Sequence, residues 1–414
     1  MELCGGVWMM RVVVLGEFRA DRLVPLFEQR GADVAVLAFV GLEAFLGPGV
    51  ECGMLPTELS ECALLRLLDA YGADVAVPNL GCPGQEQFLP VYARAAPRVW
   101  AAGRRMPVHS EGFATLASDK VVLHRVAQER GWPVPRGVVC VTAREVREAG
   151  RGLGLPVLVK EARSEFHAGR HYVRDGDHLG RVSGEVTCPV LVQQAVEGDE
   201  YAIEFLSGSP HTVAWPVASL GRLDSACAPG TRVRVAPAAL PTRAQAELTA
   251  TVADMVKTFR PWGPWQMDFA VTDDGRLQLI EVNGRLGGVS NMSWASTGLD
   301  PHAVHAEAAF GRRPPSPQAG RVALELPVRN DMVLPPAPSG TELMCFPGNP
   351  ANRGPCIGGF QRAVLGVPTD RAGVVREWLP TLPPGVLLNS PDEAAAQLSR
   401  GVHALRQGTP LVGW

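Results

Sequence analysis

One central segment, GPWQMDFAVTDDGRLQLIEVNGRLGG, constrains the fold of this 414-residue chain more than any other. It contains two runs rich in strand-forming residues, WQMDFAV and RLQLIEV, on either side of an Asp-Gly pair. An Asp-Gly pair between two such runs predicts a β-hairpin with a two-residue turn. That turn places Asp273 opposite Arg276. Counting outward along both strands, it places Asp268 directly opposite Glu281.

Two carboxylates that face each other are unusual in strands that are otherwise apolar. Side chains alternate between the faces of a strand, so Asn283 joins Asp268 and Glu281 on one face. Like charges directly opposite each other destabilise a sheet, and a divalent cation is the natural compensator. Oxygen ligands, with room left for phosphates, favour Mg²⁺. The alternative is that one carboxylate is solvated or pairs with Arg276 or Arg285.

Composition places the chain among folded globular proteins. Hydrophobic residues make up 46% and charged residues 20% of a chain that is long enough for two or three domains. The net charge of -3 gives no overall basic field for nucleic acid. The nine cysteines are scattered without a CxxC pair. This argues against a disulfide framework or a zinc site, and for a reducing compartment.

The sequence also carries no signal that directs it to a membrane. No apolar run reaches the roughly 20 residues that a bilayer span needs. The amino-terminal segment lacks the basic region of a signal peptide. We therefore expect a cytoplasmic protein that contacts neither membrane nor nucleic acid.

The first part of the chain has the pattern of an α/β domain. Short apolar runs at residues 11–15, 33–39 and 74–78 alternate with helical patterns, which predicts a small parallel sheet flanked by helices. We place this domain at about residues 1–110. The segment GEFRAD follows its first strand where a dinucleotide-binding fold would carry GxGxxG, so a dinucleotide site is not expected.

The rest of the chain is predicted to mix strands and helices. A helical stretch that includes Ser118-Asp119-Lys120 reaches about Arg130, where GWPVP stops it. Residues 163–171 are a predicted mobile loop, and residues 320–414 have the pattern of a separate or appended lobe. The other predicted elements are strands at 138–141, 156–162, 191–196, 201–206 and 322–326, helices at 144–153, 242–259 and 391–406, and a turn at Gly198.

Two lysines and one hinge-like segment are candidate ligand-binding groups. Lys160 closes the apolar strand LPVLV next to a flexible loop, where a lysine can bind phosphate as a point charge. Taken alone, such a lysine is more often a solvated strand-end residue, and Lys120 is a weaker candidate still. The segment QQAVEGDE has a backbone that can meet a flat base, with Glu200 close enough to bind ribose hydroxyls. Its alternative is an ordinary strand and turn.

The segment TRVRV offers a further anion-binding pair. Arg232 and Arg234 fall on one face of a strand and can hold a substrate carboxylate bidentately. The alternative is a solvated edge strand. Farther along the chain, Gly287 and Gly288 allow the backbone to approach a small ligand closely. If the strand of Asn283 persists, period two also turns Arg285 to the metal face.

Taken in order, these segments resemble the ATP-grasp superfamily over roughly residues 120–288. The motifs are SDK followed by GWPVP, LPVLVK, VQQAVEGDE, MDF, and LIEVNGRLGG. The gap of 13 residues between Asp268 and Glu281 also suits the metal-binding hairpin of the family. Glu86 in PNLGCPGQE is similar to the usual acidic residue after the third strand of the preceding domain.

The resemblance implies an architecture and a role for each motif residue. The expected parts are a Rossmann-like pre-ATP-grasp domain (1–110), a small lobe (111–190), a large lobe with the metal-binding hairpin (191–315) and a carboxyl-terminal lobe (316–414). For the nucleotide, Lys120 and Lys160 are expected to bind the ATP phosphates, Gln193, Gln194 and Val196 the adenine, and Glu200 the ribose. Asp268, Glu281 and Asn283 are expected to bind one or two Mg²⁺ ions, and Arg285 to stabilise the transferring phosphoryl group. The residues expected to bind substrate are Glu86, Arg232, Arg234, Arg285, Gly287 and Gly288.

Two positions depart from the family pattern. The hinge residue is usually acidic, whereas Gln193 is neutral and would accept a hydrogen bond from the adenine amino group through its carbonyl oxygen. The loop after the lysine is usually glycine-rich, but ARSEFHAGR contains one glycine and offers fewer backbone N–H groups. Arg163, His167 or Arg170 would then replace them by side chain.

The activity implied by the resemblance is that of an ADP-forming carboxylate–amine ligase. ATP would phosphorylate a carboxylate and an amine would attack the acyl phosphate, with amino-acid or peptide substrates in specialised metabolism. The expected partners are these small molecules and a second copy of the chain in a homodimer. The alternatives are a carboxylase-type or purine-pathway enzyme of the same superfamily, and a non-catalytic ATP-binding regulatory protein.

Overall fold

The computed structural model describes residues 9–39, 41, 46, 49–81, 85–163, 169–208, 211–224, 228–345 and 360–408. The strands are β1 (Arg11–Leu15), β2 (Asp33–Ala38), β3 (Glu51–Met54), β4 (Val75–Pro78), β5 (Gly137–Cys140), β6 (Val157–Glu161), β7 (Arg170–Val173), β8 (Val190–Gln194), β9 (Gly198–Ser207), β10 (Thr212–Ala214), β11 (Ala218–Arg222), β12 (Arg234–Ala236), β13 (Gly263–Thr272), β14 (Leu277–Asn283), β15 (Val322–Arg329), β16 (Glu342–Cys345) and β17 (Phe360–Val367). The helices are α1 (Ala20–Glu28), α2 (Glu61–Ala70), α3 (Leu89–Ala101), α4 (Glu111–Ser118), α5 (Lys120–Arg130), α6 (Ala143–Leu153), α7 (Gly176–Glu185), α8 (Thr242–Phe259), α9 (Ser290–Thr297), α10 (Pro301–Ala309), α11 (Ala372–Trp378) and α12 (Pro391–Gln407). None of the helices within these ranges has the length and apolar character that crossing a bilayer requires.

Four parallel strands form the first sheet, in the order β3-β2-β1-β4. Four of the five residues of β1 are fully buried, as in a parallel sheet that is covered on both faces. The strands predicted at 11–15, 33–39 and 74–78 are confirmed. The sequence does not predict β3, because ECGM contains no run of strand-forming residues and the strand lies at the edge of the sheet.

The second sheet is antiparallel, in the order β5-β8-β6-β7. Helices α6 and α7 cover one of its faces through a core that includes Val146, Val157 and Val159. Since side chains alternate along a strand, Leu158 and Lys160 lie on the other face of β6. That face lines a cleft, so the sheet places Lys160 at the candidate site.

The third sheet is the largest and contains nine strands. Its order is β14-β13-β9-β11-β12-β15-β17-β16, with β10 beside β9. The hairpin of β13 and β14 forms one edge of it. Strands β15 to β17, from the predicted carboxyl-terminal lobe, continue the same sheet through pairing of β15 with β12. In the described residues this lobe is therefore appended to the large sheet rather than separate from it.

The turn expected at Gly198 is not a hairpin turn. Strand β8 ends in the second sheet and β9 begins at Gly198 in the third, so the two strands do not pair with each other. Gly198 lies against the backbone of Val271, and a Cβ on it would be 2.2 Å from that carbonyl oxygen. The glycine therefore allows close strand pairing, and residues 195–197 connect the two sheets.

The helical stretch predicted through residues 118–120 is interrupted at Asp119. This residue has extended backbone angles, with φ -140° and ψ 110°, and separates α4 from α5. Its Oδ1 accepts hydrogen bonds from the backbone N–H groups of Val121 at 2.9 Å and Val122 at 3.0 Å. Asp119 thus caps α5, and Lys120 becomes the first residue of that helix.

One hydrophobic core joins the first sheet and its helices to the large sheet. Trp265 of β13 stacks on Phe205 of β9, with ring centroids 3.9 Å apart. Phe113 of α4 contacts Trp265 edge-on, at 5.4 Å between centroids. Because all three rings are buried, this packing fixes the hairpin relative to α4 and the helix that follows it.

Candidate functional site

The predicted pairing of Asp268 with Glu281 is confirmed, but the hairpin reaches it by another route. The turn has three residues rather than two, because Gly275 adopts a left-handed conformation with φ 79°. Thr272, not Asp273, therefore lies opposite Arg276, with Thr272 N donating to Arg276 O at 2.9 Å.

A bulge then restores the register that the longer turn would have shifted. Phe269 pairs with Leu279 and Asp268 pairs with Glu281, so Ile280 is the extra residue on β14. The prediction that Asp273 faces Arg276 is wrong. The additional residue in the turn and the additional residue in the bulge offset each other, and the two carboxylates still face each other.

Asp268, Glu281 and Asn283 lie together at the edge of the large sheet. Asn283 Nδ2 donates to Asp268 Oδ2 at 3.0 Å, and Gln266 Nε2 donates to Asp268 Oδ1 at 2.7 Å. Glu281 Oε1 is 3.0 Å from Lys120 Nζ. Glu281 of this trio is thus within hydrogen-bond range of one of the two predicted phosphate-binding lysines.

The two arginines considered as alternative partners for the carboxylates have other contacts. Arg276 Nε lies 2.6 Å from Asp274 Oδ2 within the turn. Arg285 Nε lies 2.6 Å from Glu86 Oε1, which belongs to the segment after β4. The cation that pairs with Glu281 is instead Lys120.

The two facing carboxylates differ in their protonation behaviour. Burial, together with the negative charges of Glu281 and Glu200, raises the pKa of Asp268 to about 8. Burial also opposes ionisation of Glu281, but the Lys120 ammonium outweighs it and lowers the pKa of Glu281 to about 2. Without a cation, ionisation of Asp268 is therefore unfavourable near neutral pH, and a cation bound beside it would favour the ionised form.

The donor set around the hairpin consists of two carboxylates and one amide oxygen. In the part of the chain that the structure describes, no group of three or more His, Cys, Asp or Glu side chains is arranged as a metal site. Asp268, Glu281 and Asn283 offer oxygen atoms only. Such ligands suit a hard cation such as Mg²⁺ and do not suit zinc.

Lys120 and Lys160 approach the site from two different elements. Lys120 begins α5, and its backbone N–H donates to Ala162 O at 2.8 Å. Ala162 directly follows β6, which carries Lys160. This backbone contact holds the start of α5 against the end of β6, so that both ammonium groups are brought to the same region.

The side-chain oxygen of Gln193 accepts a hydrogen bond from Lys160. Lys160 Nζ donates to Gln193 Oε1 at 2.8 Å, and Gln193 Nε2 lies 3.3 Å from Nδ1 of buried His124. Burial lowers the pKa of His124, which favours its neutral form. The carbonyl oxygen that we expected to meet adenine is therefore engaged by the lysine, and Gln193 orients Lys160 in this structure.

A cleft of about 300 Å³ opens between the second and third sheets. Lys160, Gln193, Gln194, Val196 and Glu200, five of the residues predicted to bind nucleotide, line it. The sequence does not single out most of the other lining residues, whose apolar members offer surface for a flat ring. The further lining residues are Pro135, Leu158, Arg170, Tyr172, Ala195, Glu197, Arg222, Leu223, Asp224 and Ile280.

The predicted loop contributors are only partly described. Arg170 begins β7 and lines the cleft. Arg163 Nε lies 3.6 Å from Asp119 Oδ2. His167 lies outside the described residues, as does most of the loop predicted at 163–171.

Glu200 and Arg232 form a buried ion pair beside the cleft. Arg232 Nη1 donates to Glu200 Oε2 at 2.9 Å, and Arg232 Nε lies 3.5 Å from Asp224 Oδ2. The two side chains of the main pair are 7% and 8% exposed. Arg232 therefore neutralises and orients the carboxylate that we expected to bind ribose.

Arg234 is buried as well and has a different partner. Its Nε donates to Glu325 Oε1 at 2.6 Å, and its Nη2 donates to Gly288 O at 3.1 Å. The edge-strand alternative for TRVRV is wrong, because β12 lies between β11 and β15 inside the large sheet. Arg232 and Arg234 are thus not a joint clamp: each has its own carboxylate.

Of the two glycines predicted to let the backbone approach a ligand, Gly287 lies instead against a protein side chain. A Cβ on Gly287 would lie 1.6 Å from Gln266 Oε1, so any larger residue would require the Gln266 side chain to move. Gly288 has more room, with the nearest side-chain atom 3.6 Å from such a Cβ. The backbone of this segment therefore passes directly over the hairpin.

Comparison with known proteins identifies a family for the central part of the chain. Residues 119–315 match the family model described as carbamoyl-phosphate synthase L chain, ATP binding domain. Residues 119–315 belong to the ATP-grasp superfamily. Both lysines, the cleft and the hairpin of β13 and β14 fall inside the matched residues.

The curated relatives include D-alanine–D-alanine ligases. A D-alanine–D-alanine ligase of Xylella fastidiosa is 36% identical over 103 residues, which is 22% of this chain and 33% of the relative. The chain thus spans a third of the length of that relative. A D-alanine–D-alanine ligase of Delftia acidovorans is 25% identical over 287 residues, covering 66% of this chain and 81% of the relative.

A solved structure shares the fold of this ATP-grasp chain over most of its length. The L-amino acid ligase from Bacillus licheniformis superposes with a TM-score of 0.66 at 18% identity. The superposition covers 90% of this chain and 98% of that structure. The fold therefore extends beyond residues 119–315 into both terminal segments.

Sequence reasoning missed one buried acid of this ATP-grasp site. Glu204 of β9 is fully buried, and its Oε1 accepts hydrogen bonds from Gly287 N at 3.2 Å and from the Ser290 hydroxyl. Burial raises its pKa to about 7. The signal that identified Asp268, an acid inside an apolar strand, is also present in YAIEFL and would have identified Glu204.

Proposed function

We propose that this chain is an ATP-dependent, ADP-forming carboxylate–amine ligase. A carboxylate oxygen of one substrate attacks the γ-phosphorus of ATP, the bond to ADP breaks, and an acyl phosphate forms. The nitrogen of an amine then attacks the acyl carbon, loses a proton, and phosphate departs to leave an amide. Amino acids or peptides are the proposed substrates, and the product would belong to specialised metabolism.

The observation that carries the proposal is the meeting of cations and anions around one cleft. Lys120 and Lys160 come from different elements, and Lys120 Nζ lies 3.0 Å from Glu281 on the metal hairpin. Phosphoryl transfer needs positioning and charge neutralisation more than covalent chemistry from the protein. An arrangement of two lysines, two carboxylates and an arginine supplies both.

The residues present fit a magnesium ion. Asp268, Glu281 and Asn283 would hold it, since all three offer oxygen atoms. Burial and the neighbouring carboxylates raise the pKa of Asp268, and a cation would offset both effects. When bound, Mg²⁺ would neutralise phosphate charge. Lys120, which now pairs with Glu281, would then be released to bind a phosphate oxygen of ATP.

The cleft fits the nucleoside part of ATP. Leu158, Tyr172 and Ile280 offer apolar surface to the adenine ring, and the backbone near Val196 offers hydrogen-bonding groups. Glu200, oriented by Arg232, is placed to accept from the ribose hydroxyls. Lys160, oriented by Gln193, would bind phosphate.

Arg285 and Glu86 are proposed to serve the reacting carboxylate. Their 2.6 Å contact brings the segment after β4 to the segment after β14. A guanidinium there stabilises negative charge on the transferring phosphoryl group and on the acyl phosphate. Glu86 orients Arg285, and Gly288 leaves more room than Gly287 for the substrate beside the backbone.

The test is an incubation with ATP, Mg²⁺ and pooled L-amino acids, read by phosphate release and product mass. We expect phosphate and a new amide mass in the wild type. Both should be lost in Glu281→Gln, and Glu148→Gln, an exposed change on α6, should retain them. Phosphate release that depends on bicarbonate and yields no amide would favour the carboxylase-type alternative and overturn the proposal.

The domain division and the assembly are also proposals. We propose the boundaries 1–110, 111–190, 191–315 and 316–414, with the last segment appended to the large sheet. A homodimer is the proposed assembly. Light scattering at several protein concentrations would test it, and a mass of one chain at all of them would contradict it.

A further inference from the structure

A row of charged side chains crosses one face of the large sheet. Small and apolar residues from four strands pack together under α9 on this face: Ala202, Ala236, Ala323 and Val364. Asp268 of the metal hairpin pairs with Ala202. Arg234, Glu325 and Arg362 each lie two residues from a member of that cluster, and therefore on the same face. The face that carries the metal hairpin thus extends to the carboxyl-terminal strand β17.

Two arginines share one carboxylate at the far end of this face. Arg234 and Glu325 form a pair whose side chains are 3% and 1% exposed. Arg362 Nη1 lies 4.0 Å from the same Glu325 oxygen and donates to Gly288 O at 3.3 Å. Within the described ranges, Glu325 is the one carboxylate in ion-pair distance of Arg362. The cluster therefore retains one positive charge.

The excess charge faces solvent at Arg362 rather than at Arg234. The Arg362 side chain is 27% exposed, nine times the fraction of Arg234. Gly288 leaves space beside it, because a Cβ there would lie 3.6 Å from Arg362 Nη1 and 3.8 Å from Arg234 Nη1. Gly288 also follows Arg285 by three residues. An anion can therefore reach the guanidinium of Arg362 close to the proposed reaction centre.

We propose that Arg362, supported by Arg234 and Glu325, binds the carboxylate of the amine substrate. The inference rests on the proposed ligase function and specifies its acceptor. The carboxylate of the donor is consumed when it is phosphorylated near Arg285. A carboxylate held at Arg362 remains unreacted and belongs to the acceptor. The acceptor is thus an amino acid or peptide with a free carboxylate, and the product is a peptide.

The experiment compares acceptors with and without a carboxylate. Initial rates of amide formation are measured with L-amino acids and with the corresponding L-amino-acid amides, for the wild type, Arg362→Gln and Arg362→Lys. Arg329→Gln is the matched control, because Arg329 also lies in the large sheet and pairs with exposed Asp331. In Arg362→Gln we expect the KM for amino-acid acceptors to rise at least about tenfold, with kcat and ATP affinity little changed. Arg362→Lys keeps the charge but loses the planar guanidinium. Its KM for amino-acid acceptors should therefore lie between those of the wild type and Arg362→Gln.

The acceptor amides separate binding from a structural effect. The wild type should use them poorly, and Arg362→Gln should use them as well as the wild type does. If Arg362→Gln and Arg329→Gln give the same KM for amino acids while the wild type makes amide, the inference fails and the ligase function stands. An equal loss with both acceptor classes would show a structural role and also overturn the inference. If the wild type forms no amide, both proposals fail.

Discussion

Arg285 carries the most specific chemical role among the single residues of the site. Its contact with Glu86 fixes the direction of the guanidinium before any substrate binds. A group that acts on developing charge affects turnover more than substrate binding. In Arg285→Lys the charge stays and the fork geometry is lost, so we expect kcat to fall roughly a hundredfold. ATP affinity should be little changed.

Steady-state kinetics with ATP as the varied substrate would check this expectation. Arg329→Lys, an exposed change with an exposed partner, is the control. If Arg285→Lys weakens ATP binding and leaves kcat at the wild-type value, then Arg285 is a nucleotide contact and its catalytic role is wrong.

Glu204 gives a pH prediction at the same scale. Burial raises its folded-state pKa from 4.5 to about 7. A raised pKa means that its contribution to stability is fully present below pH 4.5 and is lost as the pH rises to about 7. Glu204→Gln cannot ionise, so the melting temperature of this variant relative to the wild type should increase between pH 4.5 and 8. The corresponding gain in the free energy of unfolding, relative to the wild type, is at most about 3 kcal/mol.

Thermal melts of the two proteins across that pH range would provide the measurement. Exposed Glu148→Gln serves as the control for a general effect of removing a carboxylate. A constant difference between Glu204→Gln and wild type at all pH values would show that Glu204 stays in one protonation state.

At the scale of elements, the sequence predicts reliably which residues come together. It predicts less well how the backbone brings them together. Alternation along two strands correctly places Asp268 opposite Glu281. The three-residue turn and the bulge at Ile280 are not visible in the pattern, because both depend on local backbone conformation. Gln193 shows the same limit: its position in the cleft is predictable, but its bond to Lys160 depends on side chains from two strands of one sheet.

The glycine segment after β14 supports a prediction of its own. In Gly287→Ala the new Cβ would lie 1.6 Å from Gln266 Oε1, and Gln266 is itself bonded to Asp268. We expect a loss of stability of about 1–3 kcal/mol and a larger loss of activity, because the metal hairpin must shift. Gly320→Ala, with no atom within 4 Å of its Cβ, should behave as the wild type. Unchanged activity in Gly287→Ala would show that the hairpin tolerates the shift.

At the scale of the whole molecule, local pattern predicts the first sheet and the lobe that bears Lys160, but it does not predict how the parts share sheets. The sequence pattern predicts a separate or appended lobe for the carboxyl-terminal strands. In the structure, β15 pairs with β12 and extends the large sheet. Such pairing joins residues about 90 positions apart, and no local signal specifies it. The consequence is functional, since this pairing is what brings Glu325 and Arg362 to the face of the metal hairpin.

Nucleotide binding should couple the sheets that line the cleft, and this gives the prediction for the whole molecule. A ligand that binds only the native state stabilises it by mass action, by about 2.7 kcal/mol at a concentration 100 times its Kd. ATP with Mg²⁺ should therefore raise the melting temperature. Lys160→Ala should lose most of this shift, because it removes the ammonium that Gln193 orients at the cleft. Lys257→Ala, an exposed change in the last turn of α8, should retain it. If NAD or GTP raises the melting temperature as much as ATP does, the cleft is not selective for an adenine triphosphate.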